Sequence, residues 1–334
     1  MTELWVGAVI ALGTSMVAGP VVLLVLQRLQ LLDRPNERSS HQAPTPRGGG
    51  LAPAIGATAG LVAVPLTGAG TIRTGILVAA AGFGLIGLVD DWRGLAPLPR
   101  LGWQVAAGGL ALVWLLHGLD GPLAWKAAFT AGCLLWLVAY VNAFNFMDGI
   151  NGIAAAQVLV AGGAWWVIGR VEDVPALAVG AAVIAAATLA FVPLNYPQAR
   201  VFLGDVGSYF IGAWLATLVI VGLRGGLAIE AALAPVSLYL TDTATTIVRR
   251  VRAAEAWYLP HRNHAYQRLT QLGWSHTRTT ALVAATMAIC SALGALSLTD
   301  SLALRAAGDV ILAAVLVAYV VSPQLLRRTR CAAA

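Results

Sequence analysis

Eleven apolar stretches divide this chain, at residues 4–27, 50–66, 72–89, 101–116, 125–141, 153–168, 174–192, 208–223, 227–247, 279–298 and 303–321. Each is near the ~20 residues that a helix needs to cross about 30 Å of hydrocarbon. Few folds remain open to such a pattern, because backbone in hydrocarbon must satisfy its own hydrogen bonds and windows of this length do so as helices. Charged residues make up 11% of the 334, against roughly 25% in an ordinary soluble domain. The expected fold is an all-α polytopic membrane protein with 10–11 transmembrane helices, forming one domain over residues 1–334. The first stretch has no basic leader and no clear small-residue cleavage site, so it reads as a retained span.

Charge gives the expected orientation. The first, third, fifth, seventh and ninth connectors and the C-terminal tail hold 16 of the 21 Lys and Arg. The positive-inside rule puts these connectors in the cytoplasm and the N-terminus outside. The net charge of +6 is then a cytoplasmic rim suited to phosphates or anionic headgroups, and nothing in its pattern points to nucleic acid.

The side chains capable of chemistry fall on that same side. They lie in "LLDRPNERSSHQAPTPRGGGL" (31–51), "LVDDWRGLAPLPRLGWQ" (88–104), "NAFNFMDGINGIAA" (142–155), "NYPQARVFLGDVGSYF" (195–210) and "RRVRAAEAWYLPHRNHAYQRL" (249–269). The even connectors, such as "LTGAGTIR" and "SLTDS", are short and bland. One cytoplasmic face is therefore expected to carry the chemistry.

Asp90 and Asp91 end an apolar helix, where two acids oppose the macrodipole; a cation or a proton-transfer role would offset that cost. In "GDVGS", Asp205 sits between glycines, Ser208 is placed to cap the following helix, and Gly204 and Gly207 would let amides approach an oxyanion. An acid among such amides makes sense if Mg²⁺ bridges carboxylate and phosphate. Asn142, Asn145, Asp148 and Asn151 recur every three residues, so a continuous helix would put them roughly on one face. Gly149 and Gly152 argue instead for a break or a close approach there. Arg47 in "PTPRGGG", with His261, Arg262 and His264 in "PHRNHAYQ", suits phosphate contact, because the two histidines lack a third ligand at zinc spacing. Asp242, inside the ninth window, is a functional candidate by its depth, with a structural tie to nearby arginines equally open. A transporter, the competing class, would favour polar groups near the midplane and an inverted repeat; no repeat is visible.

In their order and wording, "DRPNERSSH…PTPRGGG", "VDDW", "NAFNFMDGING", "FLGDVGS" and "HRNHAYQ" resemble the polyprenyl-phosphate N-acetylhexosamine-1-phosphate transferases of glycosyltransferase family 4, over about Leu31 to Leu269. Within that superfamily the chain looks most like bacterial enzymes that start O-antigen or related surface glycans on undecaprenyl phosphate. The muramoyl-pentapeptide branch carries a histidine triplet followed by Phe and Glu where this chain reads "HRNHAYQ". The resemblance implies transfer of an N-acetylhexosamine 1-phosphate from a UDP-sugar to undecaprenyl phosphate, in a multi-pass helical protein of the bacterial inner membrane with a cytoplasmic-face active-site cleft. It also implies dependence on Mg²⁺, for which Mn²⁺ can stand in. Carried over by motif, Asp205 is a magnesium ligand with Asn145 as the second, and Asp90 and Asp91 are the catalytic pair. Arg100 lies near phosphate, while His261, Arg262 and His264 read the sugar and diphosphate. Many bacterial relatives have Asp where Asn151 stands here, which moves weight onto Asp148 as the carboxylate and leaves Asn142 and Asn151 as substrate contacts. The particular UDP-sugar and the oligomeric state, homodimer included, stay open.

Overall fold

A computed structural model describes residues 2–33, 43–64, 70–255 and 262–332, with the side chains of 2–4 and 329–332 set aside. The chain is helical almost throughout. In order the helices are α1 (Thr2–Arg28), α2 (Leu51–Ala63), α3 (Gly70–Arg93), α4 (Pro97–Leu115), α5 (Leu123–Met147), α6 (Ile153–Val171), α7 (Pro175–Asn195), α8 (Gly204–Arg224), α9 (Ile229–Leu233), α10 (Ser237–Arg252), α11 (Ala265–Gln271), α12 (His276–Ala295) and α13 (Leu302–Ala332). It is an all-α polytopic membrane protein.

Among the described residues, eight helices are long and apolar enough to cross a membrane: α1, α3, α5, α6, α7, α8, α12 and α13. The other three windows are helical too, and they differ for physical reasons. At 13 residues, α2 reaches only about 20 Å at 1.5 Å per residue. Arg100 and Gln104 lie in the first two turns of α4 and lower its apolarity. The ninth window is divided into α9, a short 3₁₀ turn at Ala234–Val236 and α10, with Pro235 at the break, where a missing N–H and a fixed φ end a regular helix.

Helix α8 lies at the centre and is buried along nearly its whole length, against α3 and α5 on two sides. Two close approaches set its N-terminal end. A Cβ on Gly87 of α3 would stand 2.2 Å from the Asp205 carbonyl oxygen, so only glycine lets the C-terminal turn of α3 reach the start of α8. A Cβ on Gly50 would stand 2.1 Å from the Gly207 Cα, so the "GGG" and "GDVGS" backbones are in direct contact. Antiparallel pairing of Leu32 with Pro46 and Asp33 with Thr45 forms a two-residue ribbon, and an isolated bridge joins Arg47 to Phe202. The ribbon thereby holds Arg47 beside the start of α8.

Among the described residues, these contacts gather the connectors following α1, α3 and α7 at one end of the bundle, where Asn151 and Gly152 join the connector after α5 to Pro197 and Asn195, and the Tyr266 hydroxyl of α11 donates to the Phe146 carbonyl of α5. At the other end, Arg224 donates to the carbonyls of Leu115 and His117, and Arg305 meets Glu230 at 3.3 Å.

Candidate active site

At the polar end Arg47 is the hub. Its Nε lies 2.6 Å from Asp91 Oδ1 and its Nη2 lies 2.5 Å from Asp205 Oδ2. Asp91 also receives the backbone N–H groups of Asp205 and Val206, both at 2.9 Å. The C-terminal acid of α3 is thus the N-terminal cap of α8. Its apparent conflict with the α3 macrodipole is offset by the opposite end of another helix. This corrects two expectations. Ser208 does not cap α8 but receives the Asn145 amide at 2.9 Å, and the oxyanion that meets the α8 amides is Asp91 itself.

Asp90 turns to a different set of partners. Leu95 N–H donates to Oδ1 at 2.7 Å, while Arg100 Nη1 at 3.1 Å and the Tyr209 hydroxyl at 3.2 Å meet Oδ2. Tyr209 was missed in the sequence although it stands four residues after Asp205, the spacing of one helix face. Asn142 donates to Gln104 Oε1 and to the Val138 carbonyl, both at 2.7 Å, so it links α5 to α4 and does not join the carboxylates.

The run of Asn and Asp does not continue as one helical face. Helix α5 ends at Met147, Asp148 is its C-cap, and only Asn142 and Asn145 stay on helix. Asn145 donates to Asp205 Oδ1 at 2.8 Å. Asn151 lies on the turn beyond and donates to the Pro197 carbonyl at 3.0 Å, apart from the Arg47 cluster. Asn195, another residue the sequence reading passed over, ties these connectors together: it accepts from Gly152 N–H at 2.8 Å and donates to the Val201 carbonyl at 3.0 Å.

Asp148 is recessed and partly exposed. Among the described residues its carboxylate accepts no hydrogen bond, while the electrostatic influence of Asp205, Arg47 and Asp91 reaches it. Burial, with the Asp205 charge adding, pushes its pKa up to about 7, against a partial pull downward from Arg47. Burial also works against charge on Arg47, but Asp205 and Asp91 overcome it and hold the guanidinium firmly protonated.

The last polar stretch forms a separate layer. Asp242 is fully buried and accepts Ala265 N–H at 2.9 and 3.0 Å, Thr246 Oγ1 at 3.3 Å and the Tyr319 hydroxyl at 3.0 Å, with His264 Nδ1 3.2 Å away. It holds the start of α11 and does not pair with an arginine; Arg249 donates instead to Thr246 Oγ1 and the Asn263 carbonyl. His264 is buried beside Phe146 and Tyr266. The Arg262 carbonyl receives Gln271 Nε2 at 2.9 Å, and His261 lies outside the described residues.

Asp91 and Asp205 therefore share one guanidinium, with the Asn145 amide on Asp205 and Asp148 within electrostatic reach of the cluster, while Asp90 is matched by Arg100. That donor set fits a hard divalent cation. Among the described residues no group of three or more His, Cys, Asp or Glu forms a ready metal cage, and magnesium does not require one, being held by one or two carboxylates together with waters and substrate phosphates. Asn145 now presents its amide nitrogen to Asp205; a half-turn of the amide would present its oxygen.

Fold and site together define a polytopic membrane protein whose connectors concentrate carboxylates and arginines for phosphate chemistry. Residues 73–223 match the model of glycosyl transferase family 4. The chain is 33% identical over 316 residues to a decaprenyl-phosphate N-acetylglucosaminephosphotransferase of Mycobacterium leprae, covering 83% of this chain and 79% of that one. It is 28% identical over 291 residues to the "Probable undecaprenyl-phosphate N-acetylglucosaminyl 1-phosphate transferase" of Bacillus subtilis, with 83% and 80% covered. A phospho-N-acetylmuramoyl-pentapeptide-transferase of Moorella thermoacetica is 33% identical over 237 residues, with 64% and 73% covered. The chain belongs to the polyprenyl-phosphate N-acetylhexosamine-1-phosphate transferase superfamily, glycosyl transferase family 4.

Proposed function

We propose that this protein transfers an N-acetylhexosamine 1-phosphate from a UDP-sugar to undecaprenyl phosphate, releasing UMP and starting a lipid-linked surface glycan such as O-antigen or a cell-wall polymer. The site faces the cytoplasm of the bacterial inner membrane, where a water-soluble donor and a membrane-bound acceptor can meet. The observation that carries this reading is the sharing of one guanidinium, Arg47, by Asp91 and Asp205, with Asp148 within their electrostatic reach.

In the reaction an oxygen of the lipid phosphate attacks the β-phosphorus of the UDP-sugar, and the bond to UMP breaks with its electron pair leaving on UMP. The obstacle is the approach of two anions, since a phosphomonoester has a second pKa near 6 and is mostly dianionic at neutral pH. Mg²⁺ would be held by Asp205 and Asn145 with Asp148 alongside, and when bound it supplies charge screening and Lewis acidity at the phosphates. Arg47 and Arg100, each fixed by a carboxylate, meet phosphate oxygens and orient the two groups in line.

Asp148, at a pKa of about 7, is matched to remove the residual proton of the acceptor, help typically worth 10²- to 10⁴-fold. Asp91, engaged by two amides and Arg47, and Asp90, engaged by Leu95, Arg100 and Tyr209, act by holding those groups in place. This assignment moves proton transfer from the adjacent pair to Asp148. Arg262 is assigned to the sugar and diphosphate; His264, buried against Asp242, Phe146 and Tyr266, shapes that loop from within instead of meeting substrate as its motif implied.

The test is UMP release by purified protein given undecaprenyl phosphate, Mg²⁺ and a panel of UDP-linked N-acetylglucosamine, N-acetylgalactosamine, N-acetylfucosamine and N-acetylquinovosamine. The expected result is release with at least one sugar that requires both substrates; no release with any of them refutes the proposal.

A further inference from the structure

Away from the carboxylate cluster, helices α10, α11 and α13 enclose a cleft that the transfer reaction does not use. One cavity, about 320 Å³, is lined by Thr246, Arg249, Arg250, Asn263, Arg268 and Gln324 among others. A second, about 310 Å³, shares Arg268 and Gln324 and adds Arg327 and Arg328. Neither is lined by any residue of the Arg47 site.

The charge in this cleft is one-sided. Its lining carboxylate, Glu255, is tied to Arg250 at 2.8 Å. Among the described residues Arg268, Arg327 and Arg328 have no carboxylate partner. Partial burial, followed by repulsion from Arg249 and Arg327, presses the Arg268 pKa below its ordinary value. Cations held this close without acids are in a less favourable state than they would be with an anion among them.

The surroundings indicate which anion. Helix α13 is peripheral, with little of its span buried, and it exposes Leu304, Val310, Ile311, Val317 and Leu325. Its polar turns begin with Gln324, Arg327 and Arg328. On α10 the exposed side chains of Val248 and Val251 alternate with Arg249, Arg250 and Arg252. Apolar surface thus runs up to the rim of a basic cleft, the profile of a headgroup at the edge of hydrocarbon. With Glu255 engaged, no carboxylate is free among the lining residues to hold a metal or move a proton, so the cleft is built to bind and not to react.

We propose that the cleft between α10, α11 and α13 binds the phosphate of an anionic glycerophospholipid headgroup, at a site distinct from the transferase centre. The site does not depend on the reaction proposed above, because its evidence shares no residue with it.

The experiment uses the full-length protein, delipidated in neutral detergent, with bound lipid counted by native mass spectrometry. Dioleoyl-phosphatidylglycerol, dioleoyl-phosphatidylcholine, undecaprenyl phosphate and inorganic phosphate are titrated separately. The test variant is Arg268→Gln/Arg327→Gln/Arg328→Gln. A second variant, Arg327→Gln/Arg328→Gln, alters only exposed side chains and so keeps the fold. The control is Lys126→Gln/Arg170→Gln, which removes two cations from the opposite end.

Expected is one phosphatidylglycerol held more tightly than phosphatidylcholine, weakened about a hundredfold in the triple variant, less in the double variant and not in the control. Equal retention of the two phospholipids, unchanged phosphatidylglycerol binding in both cleft variants, or an equal loss in the control overturns the proposal. So does a site taken by undecaprenyl phosphate or inorganic phosphate in preference to phosphatidylglycerol.

Discussion

Replacing Arg47 with methionine removes the one cation that Asp91 and Asp205 share while keeping much of its apolar stem. Truncating one member of a fully buried ion pair costs about 3–5 kcal/mol, because the remaining charge is left unmatched. The Arg47 side chain is 36% exposed, and water screens part of that loss, so about 2 kcal/mol is the appropriate scale. In a chain of this size that is a fall of a few degrees in melting temperature. Asp91 and Asp205 then depend on a bound cation. Melting of the detergent-solubilised protein, followed with and without Mg²⁺ in excess over EDTA, should show Mg²⁺ stabilising Arg47→Met more than the parent. Equal Mg²⁺ responses, or a variant that melts with the parent in EDTA, would refute the claim that Arg47 compensates this cluster.

Asp205→Asn should abolish transfer and blunt the Mg²⁺ dependence, measured as UMP release across a Mg²⁺ titration; near-normal turnover contradicts its assignment as the ligand. Since Asp148 is shifted upward to about 7, the base form is lost as pH falls, and kcat should rise from pH 6 to 8 and level off above. Asp148→Asn should lower kcat about 10²- to 10⁴-fold and flatten that rise; an unchanged profile would remove Asp148 as the base. The same shift has a stability consequence of opposite sense to that of a salt-bridged acid: the native carboxyl holds its proton more tightly than the unfolded one, so this group's contribution weakens as pH rises from about 4 to about 7. Gly50→Ala, placing a methyl 2.1 Å from the Gly207 Cα, should cost about 1–3 kcal/mol and lower thermal stability even without substrate; a melting temperature equal to the parent's would show that the two backbones separate freely.

The helical membrane architecture was legible in the sequence because it follows from length and apolarity alone: among the described residues each of the eleven windows holds a helix, and the exceptions to a full span, α2, α4 and the α9–α10 break, are short, polar or interrupted by Pro235. The assembly of polar connectors at one end was legible too, since helices that alternate in direction bring every second connector to the same side. Which side chain meets which was not. Nothing local says that Asp91 caps α8 across 114 positions, that Arg47 bridges two other connectors, or that Asn151 turns toward Pro197. Spacing rules assume a continuous helix, and α5 stops at Met147. Tyr209, Asn195 and Tyr319 carried no sequence signal beyond their helix positions, because a hydroxyl or amide acquires its role from the carboxylate or backbone packed against it. Hydrophobic period and length act within a segment and can be read there; hydrogen-bond partnership and charge compensation act between segments, and only the packed bundle decides them.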